Sequence, residues 1–348
     1  MSDYLSPSQP PRRLLAIYDL HCQPYSIGDL TAFQAGSLVA AEMSGCQHID
    51  LCFLLDRDPL DENFRAYIRP DNRLHHLLRI LPVAQSNPQL GSLYFFDDRD
   101  QFLAWVHTNA QRYVCWPALE ALEQPRYLYY EIIQGAQAYS QRHGHPPLLS
   151  MPASLLEWAA QFIQQHAGPR RAVTVNLRRN PRFHQYRNAQ LEAWLALFQE
   201  CARQYPVTFM LLGEAHEIDE RFRQLPNVVV TKDYATSVDQ DFALIQQSQF
   251  HMGSASGPIA FAFFRPAPYL IVNAQDVLPH LALYQGALTA GDEWGLKFAF
   301  AYAQQRLSTE PETAPFLIAQ FEALWAAVDH TRPHSTAAKQ AELPAPAQ

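Results

Sequence analysis

Between Phe250 and Asn273 the chain passes from a short apolar strand pattern through Gly253-Ser254-Ala255-Ser256-Gly257-Pro258 into the apolar run Ile259–Phe264. Past Arg265-Pro266 it enters Tyr269-Leu270-Ile271-Val272. A strand, a helix and a second strand in such quick succession belong to a layered α/β fold. Small residues let a ligand approach the backbone, and a helix start offers unpaired N–H groups with partial positive charge. Ser254, Ser256 and Gly257 are therefore candidate contacts for a phosphate group. An ordinary strand-to-helix turn is the alternative reading.

The same alternation runs through the rest of the chain. Strands are expected at Leu14–Tyr18, Ile49–Leu55, Ser92–Phe96 and Tyr113–Trp116, with helices at Asp29–Ser44, Asp98–Thr108 and Glu131–Arg142. His143-Gly144-His145-Pro146-Pro147 interrupts this pattern, a helix follows at Ala153–His166, and Ala167-Gly168-Pro169 precedes a fresh start. The second half places strands at Ala172–Leu177, Val207–Leu212, Val228–Val230, Gln249–Met252 and Tyr269–Val272. Strands alternating with helices imply mostly parallel sheets covered on both faces. The length of 348 residues, 48% of them apolar, supports two such domains. The expected division is 12–165 and 166–330, followed by a disordered tail from Thr331 to Gln348 rich in Ala, Pro and Gln.

Composition excludes several function classes. The net charge of −8 offers no footprint for a nucleic-acid backbone. Met1 to Pro11 is polar and lacks the apolar core of a signal peptide, and the first apolar run is too short to span a membrane. Cysteines 22, 46, 52, 115 and 201 are odd in number and lack paired metal-ligand spacing. They suit buried thiols in a reducing cytoplasm, and the expected location is cytoplasmic. The first strand-to-helix turn lacks the glycine pattern of a dinucleotide site, which argues against an NAD enzyme.

Ligands of open parallel sheets bind beyond the carboxyl ends of the strands, so two such domains facing each other create a cleft between those ends. Three loops stand there and carry chemistry. After the first strand, Ser26-Ile27-Gly28-Asp29 brings a carboxylate to a helix start, where Asp29 either caps the helix or serves as general base. His21 is a rival base. After Ala172–Leu177, the loop Arg178 to Asn188 holds four arginines at 178, 179, 182 and 187, whose forked guanidinium groups match phosphate oxygens. A solvated surface loop is the competing reading. The third loop is the turn at Ser254, Ser256 and Gly257. Gly213 ends another strand where a base or ribose could approach, while Glu214 is either a ribose acceptor or a cap, and Lys232-Asp233-Tyr234 is a weaker signal.

These three loops, in this order and spacing over most of residues 14 to 330, resemble the GT-B nucleotide-sugar glycosyltransferases. The resemblance is to the heptosyltransferase-type branch and related glycosyltransferases of bacterial polysaccharide loci. It implies two tandem Rossmann-like α/β domains facing a central cleft, an acceptor-side first domain and a donor-binding second domain. It places the catalytic base on Asp29 and the donor diphosphate on the basic and small-residue loops, with Arg178 in a catalytic role and Arg179, Gly213, Ser254, Ser256 and Gly257 on the donor. The chain departs from that branch in its third loop, where Ser254-Ala255-Ser256-Gly257 replaces Asp-Thr-Gly and no histidine follows on the helix. The loop with Tyr186-Arg187-Asn188 also resembles that of fucosyltransferase-like GT-B enzymes.

Asp56-Arg57-Asp58, after an apolar strand, has the form of a metal-binding triplet of the other glycosyltransferase architecture. Asp98-Arg99-Asp100 repeats the form, and a solvated loop is the preferred reading. The expected activity is thus metal-independent and inverting transfer of a sugar from a nucleotide-sugar donor to a glycan or glycolipid precursor, with no cofactor. Such an acceptor leaves peripheral membrane association open. A sugar-nucleotide epimerase of the same fold and a non-catalytic sugar-binding protein are the alternatives.

Overall fold

The computed structural model of the protein describes residues 12–124, 126–180, 185–275, 286–290 and 296–331, and the elements given are those of the described residues. The expected disordered tail lies outside them apart from Thr331, as do Arg182, Phe183 and His184 of the arginine-bearing loop.

Strand β1 (Arg13–Asp19) leads into α1 (Ile27–Met43) and β2 (Ile49–Leu54). Two short helices, α2 (Glu62–Tyr67) and α3 (Arg73–Ile80), cross to β3 (Leu90–Phe96). Helix α4 (Arg99–Thr108), β4 (Tyr113–Trp116) and α5 (Tyr129–His143) follow, and α5 ends at Gly144 in the left-handed conformation. Helix α6 (Ala153–Ala167) then leads to β5 (Arg171–Asn176), α7 (Leu191–Gln204), β6 (Val207–Leu212), β7 (Val228–Val230) and α8 (Val238–Gln247). The last part comprises β8 (His251–Ser254), α9 (Ala260–Phe263), β9 (Tyr269–Val272), β10 (Leu288–Ala290), β11 (Leu296–Phe298), β12 (Gln305–Leu307) and α10 (Ala314–Thr331).

The first sheet has the order β3-β2-β1-β4, all parallel. The second has the order β10-β11-β12-β9-β8-β5-β6-β7, parallel from β12 to β7, with β10 and β11 antiparallel. In each sheet the first strand of the unit has the second on one side and the fourth on the other. The strand order therefore reverses between β1 and β4 and again between β5 and β8, and crevices form beyond the carboxyl ends at such points. Strands β2, β6, β8 and β9 are buried along their whole length, as the inner strands of sheets covered on both faces should be. Edge strand β3 alternates instead between half-buried and exposed positions.

Helix α1 is the hub between the sheets. From Leu30 to Ala41 every residue is buried, which the Ala, Gly and Ser content of this segment allows by letting neighbours approach on all sides. It packs on α5 and on α9. One apolar cluster consequently joins Tyr18, Phe33 and Phe53 of the first half to Phe242, Phe261 and Tyr269 of the second. The three short strands after β9 and helix α10 had no counterpart in the sequence pattern. Leu317, Phe321, Leu324 and Trp325 of α10 join the core that α7 builds with β5 and β6.

Candidate functional site

A cavity of about 310 Å³ opens where the loops after β1, β4, β5 and β8 converge. These loops flank the two points of strand-order reversal, so the cavity occupies the position such sheets reserve for ligands, and its volume suits a small molecule. Its lining takes Ser26, Gly28 and Asp29 from the first of these loops and the start of α1, Tyr127, Tyr129 and Tyr130 from the second and the start of α5, Tyr186 and Arg187 from the third, and Ala255, Ser256 and Gly257 from the fourth. Phe263, Ile271, Phe298 and Leu307 contribute apolar surface.

The cap of α1 is Ser26, which has extended backbone angles and whose Oγ accepts from the Asp29 amide at 3.4 Å. The cap position thus falls on Ser26 rather than Asp29, and Asp29 Oδ1 accepts a hydrogen bond from the Tyr127 hydroxyl. Burial raises the pKa of Asp29 above the ordinary carboxylate value, while hydrogen bonds from Ser26 and Tyr127 and the positive charge of Arg187 pull it back. The result is a half-buried carboxylate in the lining of a cavity that an arginine also lines. A carboxylate in this setting can accept a proton from a bound hydroxyl. His21, the rival base, points elsewhere: its Nδ1 lies 2.6 Å from the Asp58 carbonyl oxygen and it does not line the cavity.

The arginine on the cavity wall comes from the far end of the β5–α7 loop. Arg187 lines the cavity and stands 5.7 Å over the Tyr186 ring, whereas Arg178 and Arg179 remain at the loop's neck and are absent from the lining. The neck is closed by Asn188, whose side chain accepts from the Asn180 amide and donates to the Asn180 carbonyl, both at 2.8 Å, and by the Ala189 amide bonded to the Arg178 carbonyl at 2.9 Å. Asn273 reaches the Asn188 carbonyl at 3.3 Å and the buried Glu312 at 3.2 Å. Glu312 also accepts from Trp194 Nε1 at 2.6 Å, so the loop rests on a fixed polar node inside the second half.

In the β8–α9 turn, Ser256 and Gly257 line the cavity and Ser254 does not. Ser254 is fully buried, and the Ser256 hydroxyl donates to Asn176 Oδ1 at the end of β5. The expected apolar helix is a 3-10 turn, Gly257–Ile259, followed by the single short helix α9. So few aligned peptides give little dipole, and what the turn offers a ligand is close backbone approach. Gly213 also lies outside the cavity lining. Its φ of +120° and the 3.0 Å that would separate a Cβ from Asn176 Nδ2 give it a structural reason to be glycine.

The remaining signals are occupied by ion pairs. Glu214 pairs with Arg79 at 2.5 Å, linking the two halves, and makes no side-chain cap bond. Lys232 donates to Asp241 at 2.8 Å, and Asp233 pairs with Arg223. The Asp56–Asp58 loop is solvated only in part: the Asp56 side chain is 11% exposed and accepts from Arg99 Nε and Nη2, each at 3.1 Å. Arg99 also donates to Asp19 at 2.8 Å, and Asp58 pairs with Arg73. Asp98 serves as the cap of α4.

Two largely parallel sheets of reversed strand order, meeting over one cavity at their carboxyl ends, define the GT-B architecture of two facing Rossmann-like domains. Among solved structures, the chain is similar in fold to an ADP-heptose lipopolysaccharide heptosyltransferase II from E. coli, with a TM-score of 0.53, 12% identity, and coverage of 91% of this chain and 99% of that one. It is similar also to a family 9 glycosyl transferase from Veillonella parvula DSM 2008, with a TM-score of 0.52, 10% identity, and coverage of 92% and 98%. No protein-family model matches the sequence, and no curated relative matches it. Among the described residues no helix is long and apolar enough to cross a membrane.

Proposed function

We propose that the protein is a glycosyltransferase that takes a sugar from a nucleotide-sugar donor and passes it to a glycan or glycolipid acceptor, with inversion and without a metal. Residues 12–165 form the acceptor side and 166–330 the donor side. The observation that supports this reading most is the convergence of four strand-end loops that put Asp29 and Arg187 in the lining of one cavity. The fold shared with an ADP-heptose heptosyltransferase adds the donor class.

In the proposed reaction the acceptor oxygen attacks the anomeric carbon while the bond to the diphosphate breaks and its electron pair leaves with the phosphate. The acceptor proton passes to Asp29. Arg187, with Arg178 and Arg179 at the neck of its loop, offsets the charge that grows on the departing diphosphate, and the Ser256–Gly257 turn gives it close backbone approach.

A nucleotide panel tests the reading, because a ligand that binds the folded state raises its melting temperature. At least one nucleoside diphosphate should raise the melting temperature, and the matching nucleotide sugar should be turned over with an acceptor present. No shift with any nucleoside diphosphate would contradict the reading. Isomerised donor as the product would assign the epimerase instead.

A further inference from the structure

Tyr127 belongs to the segment between β4 and α5, 98 residues from Asp29 in sequence, yet its hydroxyl donates to Asp29 Oδ1. The segment is pinned on both sides of the tyrosine by one buried side chain. Gln23 Nε2 donates to the Arg126 carbonyl at 2.7 Å, and Gln23 Oε1 accepts from the Leu128 amide at 3.2 Å. Gln23 itself lies in the loop between β1 and α1, and Asp29 stands on the first turn of α1 that follows. Phenol and carboxylate are thus held by the same loop pair, and the Tyr127 ring stacks on Tyr129, with centroids 6.0 Å apart and planes 9° from parallel.

We propose that Tyr127 is a positioning residue for Asp29: its hydroxyl holds one carboxylate oxygen, stabilises the anionic form and leaves the carboxylate aimed at the cavity. The inference rests on the reading of Asp29 as the base. The chemistry follows from the surroundings. Burial disfavours charge on Asp29, and a donor to the charged form is one of the few groups that offsets this. Tyr127 is 40% exposed as a residue, and the partial burial of its ring with the neighbouring carboxylate pushes the phenol above its ordinary pKa, so it remains a donor throughout the working range. The other titratable groups facing Asp29 are Tyr18 of β1, Tyr129 and Tyr130 on the first turn of α5, and Arg187 from the β5–α7 loop; the β8–α9 turn brings none.

The sign of the effect is fixed. Asp29 has a folded-state pKa above its unfolded value, so its contribution to stability is present at low pH and is lost as pH rises through the folded pKa. Removing the phenol hydroxyl raises that folded pKa further, and the loss grows.

The test compares the full-length protein with Tyr127→Phe, Asp29→Asn and the double variant by thermal unfolding without ligand, from about pH 3, below the ordinary carboxylate value, to about pH 9. The melting-temperature gap between the protein and Tyr127→Phe should widen with rising pH, and it should be flat with pH when Asp29 is already Asn. A gap that is constant with pH, or unchanged in the Asn background, would overturn the proposal and leave Tyr127 a packing residue. In the transfer assay the acidic limb of kcat/KM should move up by about one pH unit or more in Tyr127→Phe, given the strength of hydrogen bonds to charged groups. A limb that stays in place while Asp29→Asn is inactive overturns this inference alone. Full activity in Asp29→Asn overturns the base assignment and the inference with it.

Discussion

The backbone of Gly28, in the first turn of α1, lies directly against that of Gly257 in the β8–α9 turn. A Cβ on Gly257 would stand 3.2 Å from the Gly28 nitrogen and 3.2 Å from Ile27 Cβ, and one on Gly28 would stand 3.3 Å from the Gly257 Cα. The two halves of the chain therefore touch, backbone to backbone, at the edge of the cavity that holds Asp29.

This contact makes Gly257 a residue of the seam between the halves as well as of the cavity. Gly257→Val should cost about 1–3 kcal/mol through overpacking and lower the melting temperature, with Gly257→Ala milder. Nucleotide binding should weaken in the same variant. A Val variant that melts and binds like the parent would show that the seam yields without cost.

Arg187 and Arg179 separate the cavity wall from the loop's neck. Arg187→Ala should weaken donor binding or slow transfer by roughly 10- to 1000-fold, the range seen when one charge-stabilising donor is removed. Arg179 is exposed and its amide is bonded to Glu217, so Arg179→Ala should have the smaller effect. Steady-state kinetics and nucleotide titrations of both variants check the order, and equal losses would return the clamp to the neck.

Arg99 binds both Asp19 and Asp56 beneath the ends of β1 and β2. Asp56→Ala should thus destabilise the protein by about 1–3 kcal/mol, the cost of leaving a buried donor unsatisfied, whereas Asp58→Ala at the exposed end should change little. Transfer by the parent protein should survive a chelator. Activity lost to a chelator and restored by manganese or magnesium would assign these carboxylates to a metal.

The strand–helix alternation was readable because buried parallel strands are continuous apolar runs, and the observed strands begin and end within two residues of the expected positions. Strands β10 to β12, of three residues each, are too short to carry a period, and α10 was missed although Thr313 and Pro315 mark its start and the Thr313 hydroxyl accepts from the Phe316 amide at 3.4 Å. In the cavity lining, Ser256 and Gly257 were legible because they follow β8 directly, and Asp29 because the helix start at Ser26-Ile27-Gly28 marks it. Which arginine reaches the cavity was hidden, since it depends on Asn188 folding the loop back on Asn180. Tyr127 sits in an aperiodic segment, and only the long-range grip of Gln23 brings it to Asp29.

The central claim is that the Asp29 carboxylate takes the acceptor's proton. Asp29→Asn keeps the side-chain size, and the helix keeps its cap because Ser26 supplies it. The decisive measurement is transfer by Asp29→Asn alongside its nucleotide affinity. The account predicts transfer reduced about 100-fold or more with nucleotide affinity retained. Near-normal transfer by a folded Asp29→Asn variant would contradict it.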